Sequence, residues 1–172
     1  MTIRKLDWYN KEKEVLKMNL LSWTPPDTFM ELLHVEAASE ITRLIVESTR
    51  SSSCCPTCSR SSNQSHSRYT RKVQDEPYNG RPAELLILSR KWFCEYEDCP
   101  VKIFTERFDG LSPNRRRTQR AEDILRKIAF STSCLTAEKI AHAIHMPISH
   151  DALLALIYRT DIISEVSPFP GN

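Results

Sequence analysis

Apolar and polar residues change their rhythm once along this chain. Up to about residue 108 the apolar positions come in short runs with the two-residue period of half-buried strands. Residues 29–35 (FMELLHV) and 41–46 (ITRLIV) predict two strands joined near EAASE. Residues 68–74 (RYTRKVQ) and 84–89 (ELLILS) predict two more. DEPYNGRP lies between them, and its Asn-Gly pair flanked by prolines is turn chemistry. After Pro113 the period becomes helical. Ala121, Ile124, Leu125 and Ile128 follow i, i+3, i+4, i+7, and Ala137, Ile140, Ala141 and Ile144 repeat it. Leu153, Leu156 and Ile157 begin it again. Thr136 and Ser149 are candidate N-caps, each with an apolar pair placed as a staple, Leu135/Ile140 and Ile148/Leu153. Three short helices, the last two separated only by HMPI, outline a helix-turn-helix.

The expected fold class is therefore α+β, a small β-rich module followed by a three-helix unit. The predicted domains are a polar N-terminal segment (1–28) with a short helix in KEKEVLKMNLL, a β-rich domain (29–112), a helix-turn-helix domain (113–161) and a tail (162–172). WTPPD at residues 23–27 breaks helix and strand alike.

Composition changes this picture little. Hydrophobic residues make up 40% and charged residues 27% of 172, which suits a folded soluble protein. No run approaches the roughly 20 apolar residues of a membrane span. The charged N-terminus does not resemble a secretory signal, so the expected location is the reducing cytoplasm and no membrane partner is expected. Net charge is +2, but it is unevenly spread. Residues 54–120 hold 13 Lys/Arg against 8 Asp/Glu, whereas the flanking segments are slightly acidic. A basic middle segment points to an anionic partner, most often nucleic acid, or to a solvated basic surface.

The cysteines change the picture more. SSSCCPTCSR carries Cys54, Cys55 and Cys58 inside a serine-rich stretch that would otherwise read as a linker. FCEYEDCP carries Cys94 and Cys99. Two close pairs, each at a turn and separated by strand-like sequence, suit a closed tetrahedral Zn2+ site with a structural role. Cys54 could replace Cys55, but the proline after Cys55 restricts the turn and favours Cys55. His66 is a weaker substitute ligand. A redox pair would be expected at a helix N-terminus beside a βαβ pattern, which this loop lacks. Cys134 reads as a small buried side chain.

On the last helix, Leu153, Leu156 and Ile157 would face the core. His150, Tyr158 and Arg159 are then the candidate nucleic-acid contacts on a face that is weakly basic. Arg115, Arg116, Arg117 and Arg120 in NRRRTQR are better placed as phosphate contacts, which set affinity and register.

CPTC, HSRYTRKVQDEP, RKWFCEYEDCPVKIFTER, RRTQR and MPISHDALLALIYR occur in this order between about residues 32 and 159. Together they resemble the N-terminal half of ISL-three-type insertion-sequence transposases. The resemblance implies a zinc-binding domain with ligands Cys55, Cys58, Cys94 and Cys99, then a helix-turn-helix, together recognising transposon-end double-stranded DNA. It places Arg68 and Arg71, with His66 and Tyr69, in a family motif to which the resemblance assigns no role; contact of Arg68 and Arg71 with the DNA backbone is this reading's own expectation. It also implies a following catalytic domain with three acidic residues, for which this chain offers no plausible candidates. The expectation is thus a DNA-binding transposase fragment without catalytic activity, partnered by DNA and by copies of itself or a full-length transposase. The competing expectations are a protein-interaction module or repressor of transposition, and a transposase completed by a separate or frameshifted catalytic part. The turn before the last helix holds His145 where the family usually has glycine.

Overall fold

The computed structural model describes residues 23–37 and 40–160. The expected helix in KEKEVLKMNLL and the 162–172 tail lie outside the described residues. The chain divides into two compact units, the first ending at Ala121 and the second beginning at Glu122. The architecture is α+β, a β-rich region followed by three helices.

In the first unit, β1 (Met30–Ala37), β2 (Thr42–Ser48), β5 (Ser65–Tyr78) and β6 (Arg81–Phe93) form a sheet in the order β1-β2-β6-β5. A short β7 (Ile103–Thr105) also pairs with β6. β3 (Ser53–Cys54) and β4 (Ser61–Ser62) form a separate two-stranded ribbon. β5 and β6 are longer than the alternation predicts and make one hairpin, turned at Asn79 and Gly80. Both turn residues have positive φ, 50° and 67°, which the right-handed twist of a tight hairpin favours and which Asn and Gly tolerate.

All neighbouring strands are antiparallel except β2 and β6. These two run parallel, so the segments that follow each of them emerge at the same end of the sheet. β5 occupies one edge of β6. The other edge is shared by β2, opposite Ala83–Leu88, and β7, opposite Lys91–Phe93.

The buried face of β6 changes along its length. Ala83, Leu85, Ile87 and Ser89 are buried, and then burial jumps parity to Trp92. Because side chains alternate across a strand, the two sets lie on opposite faces. On the first face Met30, Leu44, Val46, Val73, Leu85 and Ile87 pack with Phe108 and Leu111, and Trp23 covers their edge. On the other face, at the far end, Trp92 and Phe104 pack with Cys55, Cys94 and Cys99.

Three buried carboxylates tie irregular segments to the first face. Asp75 accepts from Thr118 Oγ1 at 2.7 Å, Trp23 Nε1 at 3.1 Å and Arg120 Nε at 2.8 Å. Asp27 accepts from the backbone N–H groups of Phe29 and Asp109 and pairs with Arg50. Glu106 accepts from Ser48 Oγ, Ser89 Oγ and the Arg90 N–H. Residues 113–118, expected with the helices, therefore belong against the sheet, where Gln74 exchanges backbone hydrogen bonds with Arg116 and Thr118. Gly110 permits this closure, since a Cβ there would stand 2.5 Å from Pro26 O.

The helices are α1 (Gln119–Ser131), which begins in the first unit, α2 (Cys134–Ala143) and α3 (His150–Tyr158). Ser149 caps α3 as expected, accepting from the Ala152 N–H. The cap of α2 is Ser133, not Thr136. Ser133 Oγ accepts from the Thr136 N–H, which makes Thr136 the third residue of the helix and leaves Leu135 exposed. The apolar stripe of α2 is correspondingly narrower than its sequence implies. Ala137 and Ala141 are buried, while Ile140 and Ile144 are exposed. Met146, Ile148, Leu153 and Leu156 complete the buried residues of this part of the unit. His145 adopts φ 63°, the left-handed conformation that closes many helices and that glycine adopts without strain.

Candidate metal centre

Each cysteine pair sits on a backbone knuckle that the local sequence dictates. In the first, the β3–β4 ribbon brings residues 53–62 back on themselves. Cys55 N–H donates to Arg60 O at 2.9 Å, and Ser59 N–H to Cys55 O at 2.8 Å. Ser59 takes φ 59° to complete the reversal. In the second, Cys94 N–H donates to Lys102 O at 2.8 Å and Cys99 N–H to Tyr96 O at 3.1 Å. The parallel course of β2 and β6 delivers both knuckles to one end of the sheet, where Trp92 and Phe104 form the floor between them.

There the four sulfurs of Cys55, Cys58, Cys94 and Cys99 all lie within 4.8 Å of one another. Cys55 Sγ and Cys99 Sγ are 3.9 Å apart, and Cys58 Sγ and Cys94 Sγ 3.5 Å. Four thiolates at about 2.3 Å from a tetrahedral Zn2+ stand about 3.8 Å from each other, so the donor set has the right identity, number and spacing. No disulfide joins any of them.

The electrostatics favour the thiolate at Cys55 and oppose it at Cys94 and Cys99. Burial opposes ionisation of Cys55, but the backbone N–H groups of Cys58 and Thr57, helped by the Cys58 and Cys94 thiols, pull it down to about 7. At Cys94 the Tyr96 N–H favours the thiolate, yet burial and the crowding of Cys58, Cys99 and Cys55 push it up to about 12. Burial, with Cys55 and Cys58 nearby, also raises Cys99. Cys55 ionises more readily than Cys94 and Cys99, whose protons are held by burial and by repulsion from the neighbouring sulfurs. A divalent cation removes that repulsion, which is how metal binding is coupled to proton release and to folding. A shell closed by four sulfurs has no position for water, so the Zn2+ it holds is structural.

The other candidate ligands fall away. Cys54 is exposed in β3 and lies outside the four-sulfur cluster, which takes Cys55 instead. His66 is exposed, bonded to Ser67 Oγ at 2.8 Å and stacked edge-on against Phe93. Cys134 is half-buried at the first turn of α2, not fully buried as expected.

The candidate nucleic-acid residues are divided between the two units. Arg120 pairs with Asp75 and Glu76 and donates to Thr24 O, so its guanidinium serves the fold. Arg71 donates to the carbonyls of Ser112 and Arg115, and Arg117 Nε to Gln74 Oε1 at 2.9 Å. Arg116 is exposed and Arg115 half-buried. Arg68 is exposed and pairs with Glu47 at 3.1 Å. In the second unit, His150 contacts Glu138 and Asp151, Arg159 Nε donates to Ala155 O at 2.6 Å, and Tyr158 is 83% exposed. The carboxylates that engage Arg120 were missed in the sequence. The signal available was the acidic pair Asp75-Glu76, which follows a basic run on the same strand.

Two cysteine knuckles closing on a four-sulfur shell define a zinc-binding module. Residues 51–99 match the model of a family described as the zinc-finger of transposase IS204/IS1001/IS1096/IS1165, so this segment is similar to those zinc fingers. No curated protein and no solved structure matches the chain.

Proposed function

We propose that this chain is a DNA-binding, transposase-related protein that recognises transposon-end DNA through its zinc-binding unit and its three-helix unit. The observation that carries the reading is the coincidence of the four-sulfur cluster with the transposase zinc-finger match over residues 51–99. The concentration of basic residues between Cys54 and Arg120 supports it. The helical unit would act as a helix-turn-helix, with α3 as the helix offered to the groove and His150, Tyr158 and Arg159 near the bases. Arg68, Arg115, Arg116 and Arg117 would then hold phosphates. The contribution of these residues is binding and not reaction chemistry: the zinc shell is closed, and Asp27, Asp75 and Glu106 are each engaged by several donors.

A gel shift tests this with transposon-end duplex against a scrambled duplex of equal length. The expected result is tighter binding to the end sequence, weakened by Arg115→Ala, Arg116→Ala and Arg117→Ala together. Equal, salt-sensitive binding to both duplexes would overturn sequence recognition. A second reading, a protein-contact module, has its own observation. Leu135, Ile140, Ile144 and Tyr158 are exposed on the helical unit. Unchanged DNA affinity in the triple arginine variant would favour it.

A further inference from the structure

We propose that the sheet face opposite the metal centre is a stacking platform for an unpaired stretch of nucleic acid. The inference rests on the nucleic-acid reading above and names a form of the partner that this reading leaves open.

The buried face of β6 changes along its length. Beyond Ser89 the interior lies on the Trp92 side, so the side chains that alternate with Trp92 are released to solvent. These are Lys91 and Phe93. Register adds Thr105 and Ile103 from β7, opposite them, and Tyr69 from β5, opposite Ser89. His66 joins through its edge-on contact with Phe93, ring centroids 4.8 Å apart. Lys91 Nζ stands 5.8 Å from the Tyr69 ring. Phe93 is 39% and Ile103 43% exposed, high values for large apolar side chains in paired strands.

The platform runs into a cavity of about 150 Å³ lined by Tyr69, Arg71, Thr105, Arg107, Phe108 and Asn114. Arg107 is exposed. The surface thus presents Tyr69, Phe93 and His66 together with Arg71, Lys91 and Arg107. The one carboxylate behind it, Glu106, is buried and turned to Ser48, Ser89 and Arg90.

Charge and geometry select the occupant. Rings interleaved with cations suit a polyanion that carries aromatic groups, and only unpaired bases offer their faces. A strand rises about 3.3 Å per residue, so Phe93 lies about 13 Å along β6 from the position opposite Tyr69. Stacked bases are about 3.4 Å apart, so bases on these rings would have to be splayed, which a single strand permits and a duplex does not. An apolar protein partner would gain nothing from the three cations.

The test uses the full zinc-loaded chain, a labelled single-stranded oligothymidylate about a dozen nucleotides long, and fluorescence anisotropy. A duplex of equal length is measured in parallel. The expected result is salt-sensitive binding of the single strand that weakens at least about tenfold in Tyr69→Ala/Phe93→Ala, with duplex affinity and zinc content unchanged. Leu33→Ala, an exposed apolar change on β1, is expected to alter neither. If the double variant loses zinc, His66→Ala with Lys91→Gln carries the same expectation, reading a several-fold loss. Unchanged single-strand binding in a folded variant overturns the platform while leaving duplex recognition standing. Equal loss on single strand and duplex overturns stacking in favour of a general contact. Binding to neither form in the parent chain overturns both readings.

Discussion

The β-rich unit holds two interiors on opposite faces of one strand, and they are stabilised by different physics. Around Leu44, Val46, Leu85 and Ile87 the interior is carbon against carbon, supplied by four strands and sealed by residues 106–118. Around Trp92 it is the Trp92 and Phe104 rings of β6 and β7, joined by Tyr96, and four sulfurs supplied by two loops with little apolar surface of their own. The first can form by burying hydrocarbon. The second cannot: one of its loops is rich in serine and the other in Glu and Asp, and its sulfurs repel one another when ionised, so a cation must complete it. Labour is divided along β6. Alternation up to Ser89 builds the scaffold, and the jump in parity hands the strand to the metal.

The sharpest way to break the comparison is to remove the metal. Cys99→Ser, or chelation of the parent protein, is expected to abolish ordered structure in both knuckles and expose Trp92, read as a red shift of tryptophan fluorescence. Hydrogen exchange should show β2 and the Ala83–Leu88 stretch of β6 still protected. Equal loss of protection in both interiors would mean there is one core and not two. The reciprocal change is Leu85→Ala. It should cost about 2–5 kcal/mol in denaturant unfolding, with one zinc per chain retained in the folded protein.

A smaller effect concerns the carboxylate that fastens Trp23, Thr118 and Arg120 to the first interior. Burial alone would raise the Asp75 pKa, but hydrogen bonds from Arg120 and Thr118, with the Arg120 charge, hold it below the usual carboxylate value. A depressed folded pKa gives stability that is complete above the unfolded value of about 3.9 and is lost as pH falls through the folded value. Asp75→Asn should therefore cost about 2–3 kcal/mol at neutral pH, at the low side for a buried pair because the Arg120 side chain keeps 26% exposure. Its difference from the parent should shrink below about pH 4. Smaller still, Ser133→Ala should cost about 1 kcal/mol, and Thr136→Ala distinctly less, if the α2 cap is the one described. The reverse order in thermal melts would restore Thr136 as the cap.

The scaffold was largely legible in the sequence. Alternation located β1, β2 and parts of β5 and β6, Asn79-Gly80 located the hairpin, and two cysteine pairs located the metal. What escaped has physical reasons. Residues 85–88 are all apolar, so they carry no parity. The face change shows only as Arg90-Lys91 followed by Trp92-Phe93, two polar then two apolar residues where alternation should continue. The α2 start was misplaced because Ser133 and Thr136 are both good caps, and Leu135 looked like a staple although it is exposed. The anchoring role of Arg120 was hidden because an arginine among arginines reads as a phosphate contact until its carboxylate, 45 residues earlier, is found beside it.

The most direct measurement of the central claim is zinc stoichiometry combined with thiol titration of the native protein, before and after chelation. The account expects one Zn2+ per chain and four protected thiols. Of the remaining two, Cys54 should react fast and half-buried Cys134 more slowly. Chelation should release the zinc and make all six thiols reactive. A metal-free native protein whose Cys55, Cys58, Cys94 and Cys99 react as freely as Cys54 would contradict it.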